Sequence, residues 1–267
     1  MVFSVRDDAE PGQGSLDGAG DLLVPEDGPP VEVVNPQGAA KILLVCEHAS
    51  NRIPRALGSL GLGPAALESH IAWDPGAAAV ARGLAERLDA ALVLQRFSRL
   101  VQDCNRAVDA EDAMPARSEA FDVPGNRDLS AAARRARSAA VYDPFHAQIG
   151  ALLDRGRAAA LVTVHSFVPS YLGRPRKVEL GILHDSDARL ADSLLAQTAD
   201  CEFDLRRNEP YGPEQGVTHT LARHAIPRGL LNVMIEIRSD LIADRNSQSA
   251  MAERLAGWLA RALDETG

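Results

Sequence analysis

From Lys41 onward, the hydrophobic and polar positions of the chain alternate between two kinds of segment. Short apolar runs rich in Val, Leu and Ile predict five strands, at Lys41–Cys46, Ala91–Arg96, Ala159–Val164, Val178–Leu183 and Leu231–Ile237. Longer Ala-rich stretches predict helices at Gly76–Leu88, Ser130–Arg157, Ala188–Thr198 and Ser247–Thr266. This order predicts an α/β fold with three layers, in which a mostly parallel central sheet is flanked by helices.

Three features depart from this regular alternation. Residues 1–38 are rich in Gly, Pro, Asp and Glu, which predicts a flexible N-terminal arm, so that residues 39–267 form a single α/β domain. Pro144 is expected to break or kink the second predicted helix. Two long polar segments, Ser98–Leu129 and Asn208–Leu230, are uncommon inside a compact domain unless they build a site.

Ionisable residues stand at the ends of several predicted strands. Glu47 and His48 follow the first strand, His165 follows the third, His184 follows the fourth, and Glu236 lies near the end of the last. In open α/β sheets, ligands bind beyond the carboxyl ends of the strands. Two histidines and a carboxylate are a common ligand set for a catalytic zinc, with the fourth position left to water. The strand ends therefore predict a metal site.

Two acidic residues have both a structural and a functional interpretation. Asp74 precedes Pro75 and Gly76 at the start of a predicted helix, where it could cap the helix or bind the metal. Glu236 lies in an apolar run, where an unpaired carboxylate is costly to bury. It pairs with an arginine or faces the water at the metal, and we favour the second interpretation.

The other histidines stand in less informative positions. His184 and His219 lie in regions that could line the crevice, and their roles are left open. His70, His146 and His224 are interpreted as surface or helix-face residues.

Five motifs carry a resemblance to a known family. They are CEHASNRIP at 46–54, AWDPGA at 72–77, DCNR at 103–106, VHSF at 164–167 and EIRSD at 236–240. In this order and spacing they resemble the N-formylglutamate amidohydrolase family, over roughly Val33 to the C-terminus. The resemblance implies a carboxypeptidase/phosphorylase-hydrolase-like fold, related to the zinc carboxypeptidases and to the zinc-dependent cell-wall amidases.

The resemblance also implies a metal centre with one zinc ion per chain. His48 and His165 match the two histidine ligands, and Asp74 best matches the acidic ligand. The chain departs from the carboxypeptidase His-x-x-Glu pattern, because the third residue after His48 is Asn51, a poor zinc ligand. That departure leaves Glu47 as a competitor of Asp74 for the carboxylate position.

The remaining matched residues imply how the reaction is catalysed and how the substrate is bound. Glu236 matches the catalytic glutamate, which serves as the general base. Asn105 and Arg106 match a pair that binds a substrate carboxylate, with Arg238 as a further candidate. The alternative interpretation of Arg106 and Arg238 is that each is an ordinary salt-bridge partner. The implied activity is hydrolysis of an N-acyl amino acid, N-formyl-L-glutamate giving formate and L-glutamate. The alternatives are hydrolysis of other N-acyl amino acids, small peptides or cell-wall amides, and a metal-free binding protein of the same fold.

The composition of the chain limits the classes of binding partner and the cellular compartment that we expect. A net charge of −9 argues against nucleic acid, because phosphate binding needs a basic surface. The three cysteines, Cys46, Cys104 and Cys201, form no CxxC pair, which is typical of a reducing compartment. The N-terminus shows no secretory signal, and the longest apolar runs are too short to span a bilayer. We therefore expect a cytoplasmic protein with a small-molecule substrate and no membrane partner; the sequence leaves its oligomeric state open.

Overall fold

The computed structural model describes residues 22–198 and 201–266. Its strands are β1 Val31–Val34, β2 Ile42–Cys46, β3 Ala91–Gln95, β4 Arg117–Ser118, β5 Phe121–Asp122, β6 Ala160–Phe167, β7 Ser170–Tyr171, β8 Arg174–Pro175, β9 Leu180–Leu183, β10 Leu205–Arg207 and β11 Leu231–Arg238. Its α-helices are α1 Pro64–Glu68, α2 Ala77–Leu88, α3 Ala131–Arg137, α4 Asp143–Leu153, α5 Arg189–Gln197 and α6 Arg245–Thr266. Within these residues no helix combines the length and apolarity that a membrane crossing requires.

Seven strands form one central sheet in the order β1-β3-β2-β6-β11-β9-β10. The four middle strands, β3, β2, β6 and β11, run parallel to one another. Strand β1 pairs with β3 in the antiparallel direction, and β9 does the same with β11. Two short hairpins, β4–β5 and β7–β8, lie outside the sheet. The predicted α/β fold with a mostly parallel sheet is confirmed.

The two faces of the sheet pack against different layers because successive side chains of a strand point to opposite sides. In β11, Val233, Ile235 and Ile237 pack in the same core as α2, α5 and α6. Met234 belongs to the core on the other face, which contains α4 and parts of the long polar segments. Glu236 has the same strand parity as Met234. The site therefore lies on the face that the long segments cover.

The structure alters one prediction about the chain's path and refines another. Strand β1 lies within the predicted arm of residues 1–38, yet it pairs with β3, so the sheet begins before Lys41. Residues 1–21 lie outside the described part, and the domain boundary otherwise stays a prediction. Pro144 does not end the helix, but a π-helical segment at Ser138–Tyr142 joins α3 to α4 and ends directly before Asp143, where the break or kink was predicted. Proline lacks the N–H group that a regular helix needs there, and helices commonly bend at π-helical turns.

Strand β9 runs opposite to the direction that a fully parallel sheet would give. Because it is antiparallel to β11, its carboxyl end lies next to Met234, away from the end of β11 that carries Glu236. His184, which follows β9, is thus directed to the other edge of the sheet from His165. His184, whose role the sequence left open, therefore does not stand with the other strand-end residues.

Gly76 provides a test of how the start of α2 is fixed. Its φ is +84°, and a Cβ atom at this position would lie 2.6 Å from the carbonyl oxygen of Ile242. We expect Gly76→Ala to lower the free energy of unfolding by about 2–4 kcal/mol, because left-handed backbone strain and overpacking add. Urea denaturation measures the change.

A matched control separates the two contributions. Gly229 has a φ of +65°, and no atom lies within 4 Å of the place that a Cβ atom would occupy there. Gly229→Ala should therefore cost about 1 kcal/mol, from backbone strain alone. Equal losses in the two variants would show that the contact with Ile242 does not constrain Gly76.

Candidate active site

Three buried side chains converge at the edge of the sheet where the parallel strands end. His48 follows β2, Asp74 precedes α2, and His165 lies in β6. Nδ1 of His48 lies 3.2 Å from Nδ1 of His165 and 3.3 Å from Oδ2 of Asp74, and this oxygen lies 2.9 Å from Nδ1 of His165. Ligand atoms about 2.0–2.2 Å from a tetrahedral zinc are spaced by about 3.3 Å. The group therefore has a spacing that fits a metal ion.

A further carboxylate stands behind each histidine. Nε2 of His48 lies 2.8 Å from Oδ1 of Asp103, and Nε2 of His165 lies 3.0 Å from Oε2 of Glu47. A carboxylate accepts hydrogen bonds, so the bond to Asp103 assigns the N–H group of a neutral His48 to Nε2, and the charge of the nearby Glu47 carboxylate favours the same tautomer at His165. Each Nδ1 then offers its lone pair to the common centre, as in the carboxylate–histidine–metal arrangement. Glu47 thus lies behind His165, and Asp74 supplies the central oxygen.

The backbone explains why Asp74 faces the histidines and does not cap α2. The N-cap residue of α2 is Gly76, and no side chain caps this helix. The backbone N–H of Asp74 donates to the carbonyl oxygen of His48 at 3.0 Å, which ties the two segments together. Oδ2 of Asp74 also accepts from the backbone N–H of Ser166 at 3.2 Å. The capping interpretation of Asp74 is therefore wrong.

The electrostatics of the centre favour positive charge. Burial alone would raise the pKa of Asp74, but His48 and His165 outweigh it and hold that pKa below its usual value. Burial alone would lower the pKa of His165, but Glu47 and Asp74 outweigh it and raise that pKa well above its usual value. A metal cation at the centre would take the place of the protons that these pKa shifts favour.

Glu236 stands beside this centre. It pairs with His165 in the register of β6 and β11, so the two side chains project from the same face of the sheet. Its side chain is buried, and Oε2 has no hydrogen-bond partner within the described residues. Burial, with the charge of Asp74, raises the pKa of Glu236 to about 7. An unpartnered buried carboxylate of this pKa is suited to accept a proton.

The centre and Glu236 open into one cavity of about 350 Å³. This volume is in the range of small-molecule sites. Cationic and aromatic side chains contribute to its walls, including those of Arg99, Arg106, Phe167, Tyr171 and Tyr211. The cavity therefore combines a candidate metal centre, a candidate base and groups that can bind an anion.

Comparison with known proteins identifies the family. The model of the family described as N-formylglutamate amidohydrolase matches residues 40–243 of the chain. The chain belongs to the N-formylglutamate amidohydrolase family. A search of curated protein sequences found no match.

Two solved structures are similar to this chain. A gene product from Agrobacterium tumefaciens is 52% identical, with a TM-score of 0.90, over 91% of this chain and 98% of that chain. An N-formylglutamate amidohydrolase from Ralstonia eutropha JMP134 is 18% identical, with a TM-score of 0.59, over 87% of this chain and 98% of that chain. The second similarity shows a shared fold.

The structure brings most of the site residues predicted from the sequence to this cavity. His48, Asp74, His165, Glu236, Asn105 and Arg106 all line it. The Arg106 guanidinium pairs with Asp112, with Nε 2.7 Å from Oδ2. The Asn105 side chain binds backbone instead: Nδ2 donates to the carbonyl oxygen of Val217, and Oδ1 accepts from the N–H of Thr220. Its polar atoms thus hold the 217–220 loop and are not free to grip a substrate.

The prediction that Arg238 binds the substrate needs correction. It is not among the residues that line the cavity. Its guanidinium lies 3.1 Å from Oε1 of Glu179 and 2.8 Å from Oδ1 of Asp240, and it donates to the carbonyl oxygen of Lys177. These contacts commit Arg238 to fixing the segment before β9, because its donors face protein acceptors and not the cavity.

The sequence reasoning missed two residues that support the centre. Asp103 contacts Nε2 of His48. Arg99 in turn pairs with Asp103, with Nη2 of the arginine 2.6 Å from Oδ2 of the aspartate. Nη1 of Arg99 also lies 3.8 Å from Oδ1 of Asp74. Both residues lie in the long polar segment from Ser98, and Asp103 opens one of the recognised motifs. Their position in this segment, and for Asp103 in a motif, is the sequence signal that indicates a role at the site.

The histidines interpreted as surface or helix-face residues also need correction. His146 and His224 are buried, and Nδ1 of the first lies 2.8 Å from Nε2 of the second. Burial lowers the pKa of His146 to about 2 and that of His224 to about 4, so both are neutral. Nε2 of His146 lies 3.0 Å from the carbonyl oxygen of Cys104, beside Asp103. His219 lies outside the cavity lining, with Nε2 2.7 Å from the Tyr142 hydroxyl.

His70 belongs to the site as well. It was interpreted as a surface residue, yet it lines the cavity and its Nε2 lies 2.9 Å from Oε2 of Glu119. Oε1 of Glu119 accepts from the backbone N–H of Leu172. Glu119 therefore links the β4–β5 and β7–β8 hairpins at the cavity.

The geometry of the centre yields a graded prediction for metal binding. We expect about one zinc per chain in protein purified without chelators. Glu47→Gln should weaken zinc binding about 10–100-fold, as expected for an outer partner, and Asp74→Asn should weaken it more. Competition with a chromophoric chelator measures the affinities.

His184→Ala is the control, because His184 is half-buried at the other edge of the sheet. It should retain the wild-type affinity. A greater loss in Glu47→Gln than in Asp74→Asn would instead make Glu47 the carboxylate ligand.

Proposed function

We propose that this chain is a zinc-dependent amidohydrolase of N-acyl amino acids that converts N-formyl-L-glutamate and water to formate and L-glutamate. One observation carries the proposal. The converging atoms of His48, Asp74 and His165 share a cavity with the unpartnered carboxylate of Glu236. Membership of the N-formylglutamate amidohydrolase family supports the choice of substrate class.

His48, Asp74 and His165 would hold the zinc ion. When bound, zinc supplies Lewis-acid chemistry, which makes water more acidic and polarises an amide carbonyl. Asp103 and Glu47 fix the orientation of the two imidazoles. The centre is therefore organised before the substrate arrives.

Glu236 moves the proton. Its carboxylate takes a proton from the attacking water, whose oxygen forms the new bond to the formyl carbon. The carbon–nitrogen bond then breaks, and Glu236 returns the proton to the departing nitrogen. Burial supports this role, because the raised pKa makes Glu236 a stronger base than an exposed glutamate.

Arg106 binds the α-carboxylate of the substrate in this proposal. It lines the cavity, and its side chain is 15% exposed. Its partner Asp112 is 60% exposed, so this pair contributes little to stability and can rearrange. A guanidinium contacts a carboxylate through two parallel N–H groups, which favours small N-acyl amino acids over neutral amides.

A second candidate substrate class follows from the space beside this cavity. An adjoining cavity of about 260 Å³ is lined in part by Arg99, Arg106 and Arg117. This space favours larger acyl groups or small peptides. A hydrolysis screen of N-formyl amino acids, N-acetyl amino acids and dipeptides, with zinc-loaded protein, tests the two classes against each other.

The role of Glu236 predicts the behaviour of a conservative variant. Glu236→Gln keeps the shape of the side chain but cannot accept a proton. We expect kcat to fall by about 10²–10⁴-fold while zinc content stays at the wild-type value. Steady-state kinetics and metal analysis on the same preparation measure both.

The pH profile provides a second readout of Glu236. Wild-type activity should fall as the pH decreases and the base takes up a proton, and this acidic limb should be absent in Glu236→Gln. A near-normal rate in the variant would show that Glu236 is not the base.

The role of Arg106 predicts a dependence on the charge of the substrate. Arg106→Ala should raise KM for N-formyl-L-glutamate about ten- to a hundredfold, because a charge-assisted contact is lost. The corresponding α-amide, which has no anion at that position, should lose much less. Arg127→Ala is the control, since Arg127 is exposed and pairs with Asp122. Equal losses for the acid and its amide would indicate a structural role of Arg106.

A further inference from the structure

One peptide unit beside the candidate metal centre is hydrogen-bonded at both of its ends. It joins Cys104 to Asn105, and its N–H group donates to Oδ1 of Asp103 at 2.8 Å. The same oxygen accepts from Nε2 of His48, also at 2.8 Å. The carbonyl oxygen of this peptide unit lies 3.0 Å from Nε2 of His146. Because a trans peptide is planar and its C=O and N–H groups point in opposite directions, a single orientation satisfies both ends.

The two partners of His146 determine its tautomer. A carbonyl oxygen only accepts, so Nε2 of His146 carries the N–H group and donates to the Cys104 carbonyl. Burial holds the pKa of His146 and that of His224 below the usual value, so both imidazoles are neutral and each has one N–H group. Nδ1 of His146 is then an acceptor, and Nε2 of His224 donates to it at 2.8 Å. The bonds therefore form a chain with one direction, from His224 to the carboxylate of Asp103.

The imidazole of His146 is fixed by its surroundings. It projects from α4 and is 3% exposed. Its ring centre lies 4.1 Å from that of Tyr142 on one flank. The ring of His224 stacks against it, with centres 5.1 Å apart and planes at 19°. Packing and hydrogen bonding together leave the ring little freedom to rotate, so its donor stays directed at the Cys104 carbonyl.

Core packing alone does not account for this histidine pair. Two apolar side chains of similar size would fill the same space without the cost of burying four ring nitrogens. Neither His146 nor His224 is among the residues that line the cavity. Both N–H groups of the pair instead belong to the chain that ends at the Cys104 carbonyl. The polar atoms of the pair therefore act on the peptide unit and not on a substrate.

The carboxylate that this peptide unit contacts has competing partners. Nη2 of Arg99 lies 2.6 Å from Oδ2 of Asp103, and the arginine side chain is 27% exposed. A rotation of the carboxylate that brought both oxygens to Arg99 would take Oδ1 away from His48. The N–H group of Asn105 also binds Oδ1 and so opposes this rotation. The orientation of the peptide unit thus decides how Asp103 divides its oxygens between the arginine and the imidazole.

We propose that His146, supported by His224, is a positioning residue of the metal centre. It fixes the peptide unit between Cys104 and Asn105, which keeps Oδ1 of Asp103 against Nε2 of His48. The inference rests on the proposed function, since the benefit that it assigns to this chain of bonds is tighter zinc binding by Nδ1 of His48.

The first measurement is zinc affinity, by competition with a chromophoric chelator. His146→Phe keeps an aromatic ring but loses the donor to the carbonyl. It should weaken zinc binding about three- to tenfold, less than the loss expected for a direct partner of a ligand. His146→Gln should restore the affinity to within about twofold, because its amide nitrogen lies as many bonds from Cα as Nε2 does and can donate to the same carbonyl.

His219→Phe is the matched control. His219 is half-buried in the same cluster, and its Nε2 lies 2.7 Å from the Tyr142 hydroxyl. It should retain the wild-type zinc affinity. Equal losses in His219→Phe and His146→Phe would overturn the proposal, because the loss would then come from packing of the cluster.

A double-mutant cycle tests whether His146 acts through Asp103. Asp103→Ala removes the acceptor and should weaken zinc binding about 10–100-fold. Addition of His146→Phe to Asp103→Ala should then cause less than about a twofold further loss, because the bond that His146 supports is already absent. Fully additive losses would show that His146 affects the centre by another route and would overturn the proposal.

A second variant covers the case in which His146→Phe fails to fold. His224→Phe leaves His146 in place but removes the donor to its Nδ1. His146 can then adopt the other tautomer, in which Nε2 no longer donates to the carbonyl. Zinc affinity should fall at least about twofold. Wild-type affinity in His224→Phe would overturn the role assigned to the pair.

Amide hydrogen exchange separates this inference from the proposed function, because it requires neither zinc nor turnover. The Asn105 amide reports the bond to Asp103, whereas the Asp103 amide donates to the carbonyl oxygen of Ala113 at 2.8 Å and reports the segment as a whole. In His146→Phe, exchange at Asn105 should become at least about tenfold faster, with less than about a twofold change at Asp103.

The exchange rates have distinct alternative outcomes. Equal acceleration at Asn105 and Asp103 would indicate general loosening and overturn the positioning role of His146. Unchanged exchange at Asn105 would overturn it as well. A wild-type protein that binds no zinc, with the expected exchange pattern, would overturn the metal centre and retain the role of His146 in orienting Asp103.

Discussion

Compensation of buried negative charge is the constraint on which this structure depends. Glu47, Asp74, Asp103 and Glu236 are each 4% exposed or less, and they surround two imidazoles. Removing so many carboxylates from water is costly unless cations stand among them. Arg99 compensates part of this charge through Asp103. The centre between His48 and His165 is the place where a further cation has the largest effect.

The sheet topology delivers these groups to one point. Strands β2, β6 and β11 are parallel neighbours, so the residues at their carboxyl ends meet at one edge. Strand ends can be recognised from the hydrophobic pattern, which is why the sequence predicted the convergence of His48, His165 and Glu236. The motif around Asp74 added the third member of the candidate metal group, and the structure shows that Gly76 leaves this carboxylate free of a capping role.

The predictions that failed depended on partners far away in the sequence. Strand β9 has the hydrophobic pattern of a parallel strand, but its direction is set by pairing with β11, which local sequence does not encode. That reversal places Glu179 near Arg238 and removes His184 from the site. Arg99 lies in a segment without periodicity, where a sequence pattern indicates neither burial nor a facing side chain. Its role depends on tertiary contacts alone.

The sequence separation of the central residues has a consequence for folding. His48 and Asp74 are 26 positions apart, Asp74 and His165 are 91 apart, and His48 and His165 are 117 apart. Contacts of such range carry a large loop-closure entropy cost and are slow to form. A cation that bridges them binds the assembled sheet and not its separate segments, so at a thousand times its Kd it adds about 4 kcal/mol to the stability. Opening of any one of the three segments would forfeit that gain, and local fluctuations of β2, β6 and the start of α2 would become as costly as partial unfolding of the whole edge. Metal occupancy would then make this edge of the domain a single cooperative unit, resistant to proteolysis and slow in amide hydrogen exchange.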